Sequence, residues 1–143
     1  MTRRAASIKD VPFLLKLRHQ TMDEHLAASG ITVDEAEHLA RVMYRFESSE
    51  LLLVGNEAVG LLKLAREGQE WELIQVQLVP RLQRQGLGAG ILREVIAEAE
   101  VAGAALSLSV LKANPARSLY EHLGFVVEGE DGHEYFMRRL ARP

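Results

Sequence analysis

The stretch from Trp71 to Leu111 limits the fold more than any other part of the chain. Trp71 to Val79 reads as a strand, and after Pro80 a glycine-bearing segment leads into a helix with Leu87, Ile91, Leu92, Val95, Ile96 and Ala99 inward. Gly103 ends that helix. Leu106, Leu108 and Val110 then alternate with Ser107 and Ser109, the period of a half-buried strand. A strand, helix and strand in this order form a βαβ unit, whose crossover is right-handed and whose two strands are expected as parallel neighbours. The class that follows is α/β.

The flanking sequence supplies the rest. A short strand is expected near residues 3 to 7, and Asp10 with Pro12 opens a helix carrying Val11, Leu14, Leu15, Met22 and Leu26 as far as Gly30. Thr32 followed by Glu35 reads as a capping box, with Ala36, Leu39, Ala40, Met43 and Phe46 on the inner face of a second helix. Leu51 to Val54, the turn Gly55-Asn56 and Ala58 to Leu64 form a hairpin that joins the strand from Trp71 in an antiparallel meander. Asn114-Pro115 starts a short helix ending at Gly124, and a hairpin from Phe125 to about Leu140 turns at Asp131-Gly132. The expected order is β-α-α-β-β-β-α-β-α-β-β. With 143 residues and no repeat or linker, residues 1–143 are read as a single domain.

Composition removes several function classes. The chain has no cysteine, so thiolate nucleophiles, disulfides and Cys-ligated zinc are excluded together. A net charge of -3 argues against broad nucleic-acid binding. No apolar stretch reaches ~18 residues, so no membrane span is expected, and the start lacks the apolar core of a secretory signal. The expected location is the cytoplasm. His19 and His25 lie six apart, which misses the i, i+4 spacing of a helical metal pair, and no HExxH occurs, so no metal is expected.

The chemistry is concentrated in Val79-Pro80-Arg81-Leu82-Gln83-Arg84-Gln85-Gly86-Leu87-Gly88-Ala89. Free N–H groups at a helix start, with the positive end of the helix dipole, form an anion site, and glycines let a pyrophosphate approach the backbone. A P-loop needs Gly-Lys-Ser/Thr here and a dinucleotide fingerprint needs a third glycine where Ile91 stands, so both standard nucleotide motifs fail. The plainer reading is that Gly86 and Gly88 ease a tight turn and close helix packing.

At this segment the sequence resembles the GNAT superfamily of acyl-CoA-dependent N-acyltransferases. Gln83-Arg84-Gln85-Gly86-Leu87-Gly88 is similar to the family's Gln/Arg-x-x-Gly-x-Gly/Ala, with Val79-Pro80 ahead of it. Asn114-Pro115-Ala116-Arg117-Ser118-Leu119-Tyr120 through Gly124-Phe125 resembles its second motif, in the same element order. The resemblance implies a GNAT-like mixed central sheet and acetyl-CoA as acyl donor. It implies that the backbone from Gln85 through Gly86, Leu87 and Gly88 to Ala89 takes the pyrophosphate, with Gln83 and Arg84 beside it. Leu78 and Val79 would line the pantetheine, an N–H near Val76 or Leu78 would meet the oxyanion, and Asn114, Arg117 and Tyr120 would complete the cofactor site. The implied acceptor is a primary amine of a small molecule or peptide, and a homodimer is compatible.

Acetyl transfer from a thioester needs a neutral amine, a held carbonyl and a protonated leaving thiolate. Tyr120 is the candidate general acid, a phenol of pKa ~10 facing a thiol of ~8.5; its plain alternative is packing beside Leu119 and Leu123. Glu72 stands eleven residues before Gln83, an offset at which some family members carry their base, and simple alternation puts it on the face of Ile74, Val76 and Leu78. Gln75 and Gln77 are then surface residues. Asn114 before Pro115 is equally a helix cap. Asp23, Glu24, Asp34, Glu35 and Glu37 form either a solvated face or a hold for a cationic acceptor. The competing function is a non-catalytic acyl-CoA-binding regulatory module, which needs the phosphate loop but not Tyr120 or Glu72.

Overall fold

The computed structural model describes residues 1–142. Seven strands, β1 (Thr2–Ala5), β2 (Ser49–Val54), β3 (Glu57–Ala65), β4 (Glu70–Leu78), β5 (Ala105–Leu111), β6 (Val126–Glu130) and β7 (Glu134–Arg139), form one mixed sheet. Its spatial order is β1-β2-β3-β4-β5-β7-β6. The helices are α1 (Val11–Ala28), α2 (Glu35–Met43), α3 (Leu87–Ala102) and α4 (Arg117–His122), so the element order is the one expected. Among the described residues no helix is long and apolar enough to cross a membrane.

Each face of the sheet has its own core. Leu62, Leu64, Trp71, Leu73, Leu106 and Leu108 pack with Val95 of α3 and with Phe125 on one face. Leu51 and Leu61 pack against Leu14 and Leu17 of α1 and Val42 of α2 on the other. Removing one such leucine costs about 2–5 kcal/mol, so both helical layers are firmly tied to the sheet. Lys63 lies within β3 at 1% exposure, yet it is not misplaced. Its Nζ donates to the carbonyls of Arg41 (3.2 Å), Val42 (3.0 Å) and Tyr44 (2.7 Å), groups that the end of α2 leaves without helical partners.

β4 and β5 are parallel neighbours, as the βαβ pattern requires, but only briefly. Their register runs Glu70↔Ala105, Trp71↔Leu106, Glu72↔Ser107 and stops there. Beyond Glu72 the two strands part, leaving a seam that opens toward the C-terminal end of β4.

Expectations for three elements, α2, α4 and β4, need correction. α2 is capped by Asp34, whose Oδ1 accepts the Glu37 N–H at 2.8 Å, so Thr32 is not the cap. Its buried residues are His38 and Val42, while Leu39 and Met43 are 41% and 39% exposed. The apolar stripe misled because His38 points inward to a polar partner on α1. α4 starts at Arg117 after Ala116, and Asn114 instead closes a turn by accepting the Ala116 N–H at 2.9 Å. The third correction concerns β4. Opposite β3, Lys63 pairs with Gln75 and Leu64 with Leu73, so Ile74 is an extra, bulged residue. Trp71 and Leu73 face the α3 core before the bulge, and Val76 and Leu78 face it after. Glu72 therefore does not share a face with Val76 and Leu78.

Candidate active site

The loop from β4 to α3 is built to leave its amides open. Gln83 uses its own N–H on the Pro80 carbonyl at 3.2 Å and its side chain on the Leu78 carbonyl at 2.9 Å. Gln85 Nε2 donates to the Arg81 carbonyl at 3.0 Å. Both glutamines thus brace the loop with their side chains. Arg84 and Gly86 hold left-handed backbone, with φ 62° and 79°, which turns the chain sharply into α3. Among the described residues, the N–H groups from Gln85 to Ala89 meet no protein acceptor, and the first turn of α3 carries no acidic side chain. This is the uncapped, dipole-positive helix start that an anion requires.

The glycines separate the two readings of this loop. Gly86 needs its positive φ for the turn. A Cβ on Gly88 would meet no protein atom within 4 Å, so neither turn geometry nor internal packing accounts for it. The backbone at Gly88 is instead open to approach from solvent. A cleft of about 190 Å³ borders this point, lined by Gly86, Leu87, Gly90, Ile91 and Glu94 with Met1, Arg3 and Leu52. A larger depression of about 420 Å³ lies elsewhere, between Arg93, Glu100, His122 and Arg139.

The seam beside the loop exposes backbone as well. Val79 N–H donates to the Val59 carbonyl at 2.9 Å, which sets the phase of the antiparallel β3·β4 ladder. Opposed residues alternate between bonded and non-bonded pairs, so Gln77 with Leu61 is bonded and Leu78 with Gly60 and Val76 with Leu62 are not. The amides of Val76 and Leu78 thus turn away from β3, toward the seam that β5 leaves unpaired.

Tyr120 borders the α3-side core together with Val76, Val79, Leu82 and Leu87. Its ring meets Phe125 edge to face, with centroids 5.9 Å apart, and its hydroxyl has no hydrogen-bond partner among the described residues. Burial raises the phenol's pKa, which keeps the proton in place. Asn114 accepts the Ala116 N–H on its Oδ1, and its NH₂ has no partner among the described residues. Arg117 is also engaged, donating to Glu121 at 2.9 Å and stacking 4.2 Å from the Tyr135 ring centroid.

Glu72 sits at the closed end of the seam, on the α1/α2 side of the sheet. Arg45 Nη1 lies 3.8 Å from its Oε1, and the same guanidinium reaches Glu67. Because of the Ile74 bulge, Gln75 and Gln77 share this face with Glu72. Gln77 is buried at 8% exposure rather than lying on the surface, opposite Leu61 of the second core. Periodicity alone could not reveal this, because one extra residue reverses every later position.

A polar cluster under α1 and α2 also escaped sequence reading, since its members meet only across two helices. Arg18 Nε donates to His38 Nδ1 at 2.9 Å, and His38 Nε2 lies 3.5 Å from Asp23 Oδ1. His19 bridges Asp23 and Glu35, both at 2.8 Å. His19, Asp23 and His38 have the donor set of a metal site, in place of the His19/His25 pair considered from spacing. The Arg18 bond, however, makes His38 Nδ1 an acceptor, which puts the proton of the neutral ring on Nε2. That tautomer offers Asp23 a donor and has no lone pair there for a metal. Lys63 lies close by, and burial first, then Arg41 and Arg18, push its ammonium down to about 8.

An open sheet seam ending at an uncapped helix start, with the partly buried Tyr120 ring on its border, is the arrangement that the resemblance to the GNAT superfamily led us to expect. The profile of the acetyltransferase (GNAT) domain matches residues 19–138, and the chain belongs to that family. The PaiA N-acetyltransferase from Thermoplasma acidophilum, solved in complex with coenzyme A, is 21% identical with a TM-score of 0.74, over 97% of this chain and 98% of its own. An acetyltransferase from Thermus thermophilus is 22% identical with a TM-score of 0.75, over 98% and 97%. The ribosomal-protein-S18-alanine N-acetyltransferase from Escherichia coli is 22% identical with a TM-score of 0.71, over 99% and 95%. At these identities the likeness is one of fold. No curated protein sequence matches the chain.

Proposed function

We propose that the chain is an N-acetyltransferase that moves the acetyl group of acetyl-CoA to a primary amine of a small molecule or peptide. The observation that carries this reading is the continuity of the seam beyond Glu72 and Ser107 with the unpartnered amides of Gln85 to Ala89. The loop amides take the pyrophosphate, with Arg84 adding charge. Leu78 and Val79 line the pantetheine arm, beside Gln83, Asn114 and Arg117. The amides of Val76 and Leu78 face the thioester oxygen and stabilise the negative charge that grows on it.

With no cysteine to carry an acyl group, the amine attacks the thioester carbon directly. A C–N bond forms, the C–S bond breaks, and the Tyr120 hydroxyl gives its proton to the departing thiolate. The amine's proton leaves to Glu72, directly or through water. A lysine-like amine at pH 7 needs about 4.6 kcal/mol to lose its proton and an α-amine about 1 to 1.4, so the weight on Glu72 depends on the acceptor. The test is acetyl-CoA-dependent thiol release across an amine panel, corrected for hydrolysis. Release that rises with one amine and yields its acetylated product supports the reading. Tight acetyl-CoA binding without turnover for any amine would instead favour a regulatory binding module.

A further inference from the structure

Arg18 is a buried cation with most of its donors unused. It lies on α1 beside Leu17 at 5% exposure, and only its Nε has a partner, His38. Among the described residues no carboxylate comes within ion-pair distance of the guanidinium, and neither Nη group meets an acceptor. Asp23 is the acid that acts on it, yet it is reached only through the His38 ring, and its other oxygen is held by His19. The remaining neighbours worsen the position, because Arg41 and Lys63 are both cations. A buried charge is normally paired, since desolvation alone costs several kcal/mol.

The Nη groups are not sealed off. The fully enclosed side-chain atoms lacking a partner are Ser29 Oγ and Ser49 Oγ, and no Arg18 atom is among them. A bridge between α1 and α2 uses Nε alone and leaves four N–H bonds without a purpose. The surroundings supply one. Lys63, near Arg18, stands directly opposite Gln75, next to the Ile74 bulge and on the face that carries Glu72. The side chain of Gln77, nine-tenths buried on the same face, also has no hydrogen-bond partner among the described residues. Lys63 cannot serve as a second donor, because its three N–H bonds go to Arg41, Val42 and Tyr44.

We propose that Arg18 is a specificity-determining residue on the acceptor side, its free Nη groups taking a carboxylate carried by the amine substrate. The acceptor class is then an amine that also bears a carboxylate. This inference rests on the acetyl-transfer reading above. A carboxylate fits because its two planar oxygens match the guanidinium fork, and one unpaired cation calls for a single negative charge. Glu72 and Arg18 would thus give the α1/α2 face of β4 one group for the amine and one for the acid.

The product side tests this without needing the acceptor's name. The protein is saturated with CoA, and binding of N-acetyl-amino acids with small, aromatic and charged side chains is measured by calorimetry against their carboxamides. At least one carboxylate should bind roughly tenfold to a hundredfold more tightly than its carboxamide. Arg18→Gln should bring that ratio near one while CoA affinity is unchanged. Arg18→Lys, which keeps the charge, should retain part of it and covers the case in which the glutamine variant does not fold. A merely structural Arg18 would lower the melting temperature and leave the ratio intact. The inference is overturned if no carboxylate in the panel outbinds its carboxamide in the parent, if the preference survives in Arg18→Gln, or if Arg18→Lys keeps it undiminished. Failure of the parent to take up CoA would instead remove the acetyl-transfer reading itself.

Discussion

Glu72 and Gln75, three residues apart on β4, lie on the same face of the sheet. The extra residue at Ile74 brings this about, and it puts Glu72 across the strand from the Val76 and Leu78 side chains while their amides still open into the seam. Under the proposed function a base on this face would meet the acceptor from the side of α1 and α2, whereas the loop proposed for the phosphates sits at the start of α3. Donor and acceptor would then have separate approaches.

Glu72→Gln should therefore damage transfer to amines of high pKa far more than to those of low pKa, because the amide keeps the reach but cannot take a proton. The loss should shrink as pH rises and more acceptor arrives neutral. Profiles of kcat/KM against pH for two acceptors of different basicity decide it. Parallel profiles for parent and variant would leave the proton to water or another group.

Gly88→Leu is expected to keep the fold and abolish the stabilisation given by acetyl-CoA. Open space around Gly88 means that the new side chain meets no protein atom close to its Cβ, and leucine is the better helix former by up to about 1 kcal/mol. For the parent, ligand at ~100 times its Kd adds about 2.7 kcal/mol. Thermal melts with and without acetyl-CoA read both quantities. A variant that still shows the full shift refutes the backbone site.

Tyr120→Phe removes only a hydroxyl that has no protein partner, so melting temperature and acetyl-CoA affinity should hold while kcat falls roughly 10²-fold to 10⁴-fold. Burial raises the parent's phenol pKa, so the acid form persists to alkaline pH and the fall in kcat from its ionisation should come only above ~10. An unchanged kcat in the variant takes Tyr120 out of the mechanism.

His19 should titrate above the ordinary ~6.5, since Asp23 first and Glu35 second hold its charged form. A raised folded pKa gives stability that is complete below ~6.5 and is lost as pH rises through the higher native value. Its ring also faces His38, at a centroid distance of 4.3 Å. Imidazole NMR across pH 5 to 9 measures the native value, and amide protection in α2, taken relative to the intrinsic exchange rate at each pH, should fall toward the alkaline end. A midpoint at or below that of a free histidine would contradict the bridge.

The βαβ core, the meander and the terminal hairpin were legible because each rests on local periodicity and turn residues, from Leu87 and Ile91 in α3 to Gly55-Asn56 and Asp131-Gly132. Gly86 was legible as a turn residue, since its backbone takes the left-handed conformation that favours glycine. Gln77 was not, because a bulge announces itself only through pairing with a neighbouring strand. Arg18, His38 and Lys63 read as ordinary polar positions along the chain; their burial follows from where α1 crosses α2 and where α2 ends. The inward face of α2 failed for the same reason, as His38 outranked Leu39 once Arg18 was there to receive it.

The three residue pairs that join β4 to β5 leave the sheet mechanically divided. One plate holds β1 to β4, the other β5, β7 and β6, and they meet at a single corner where Arg138 of β7 clasps Glu70 of β4. Farther along, α3 straps the plates together, and Tyr120 of α4 packs on the same core as Val76 and Val79. A molecule lying in the seam and bonding to both strands would act as an eighth strand, converting a hinged pair into one stiff plane. Under the proposed function that molecule is the acyl donor, and the unliganded chain should yield first along the line between Val76 and Leu108.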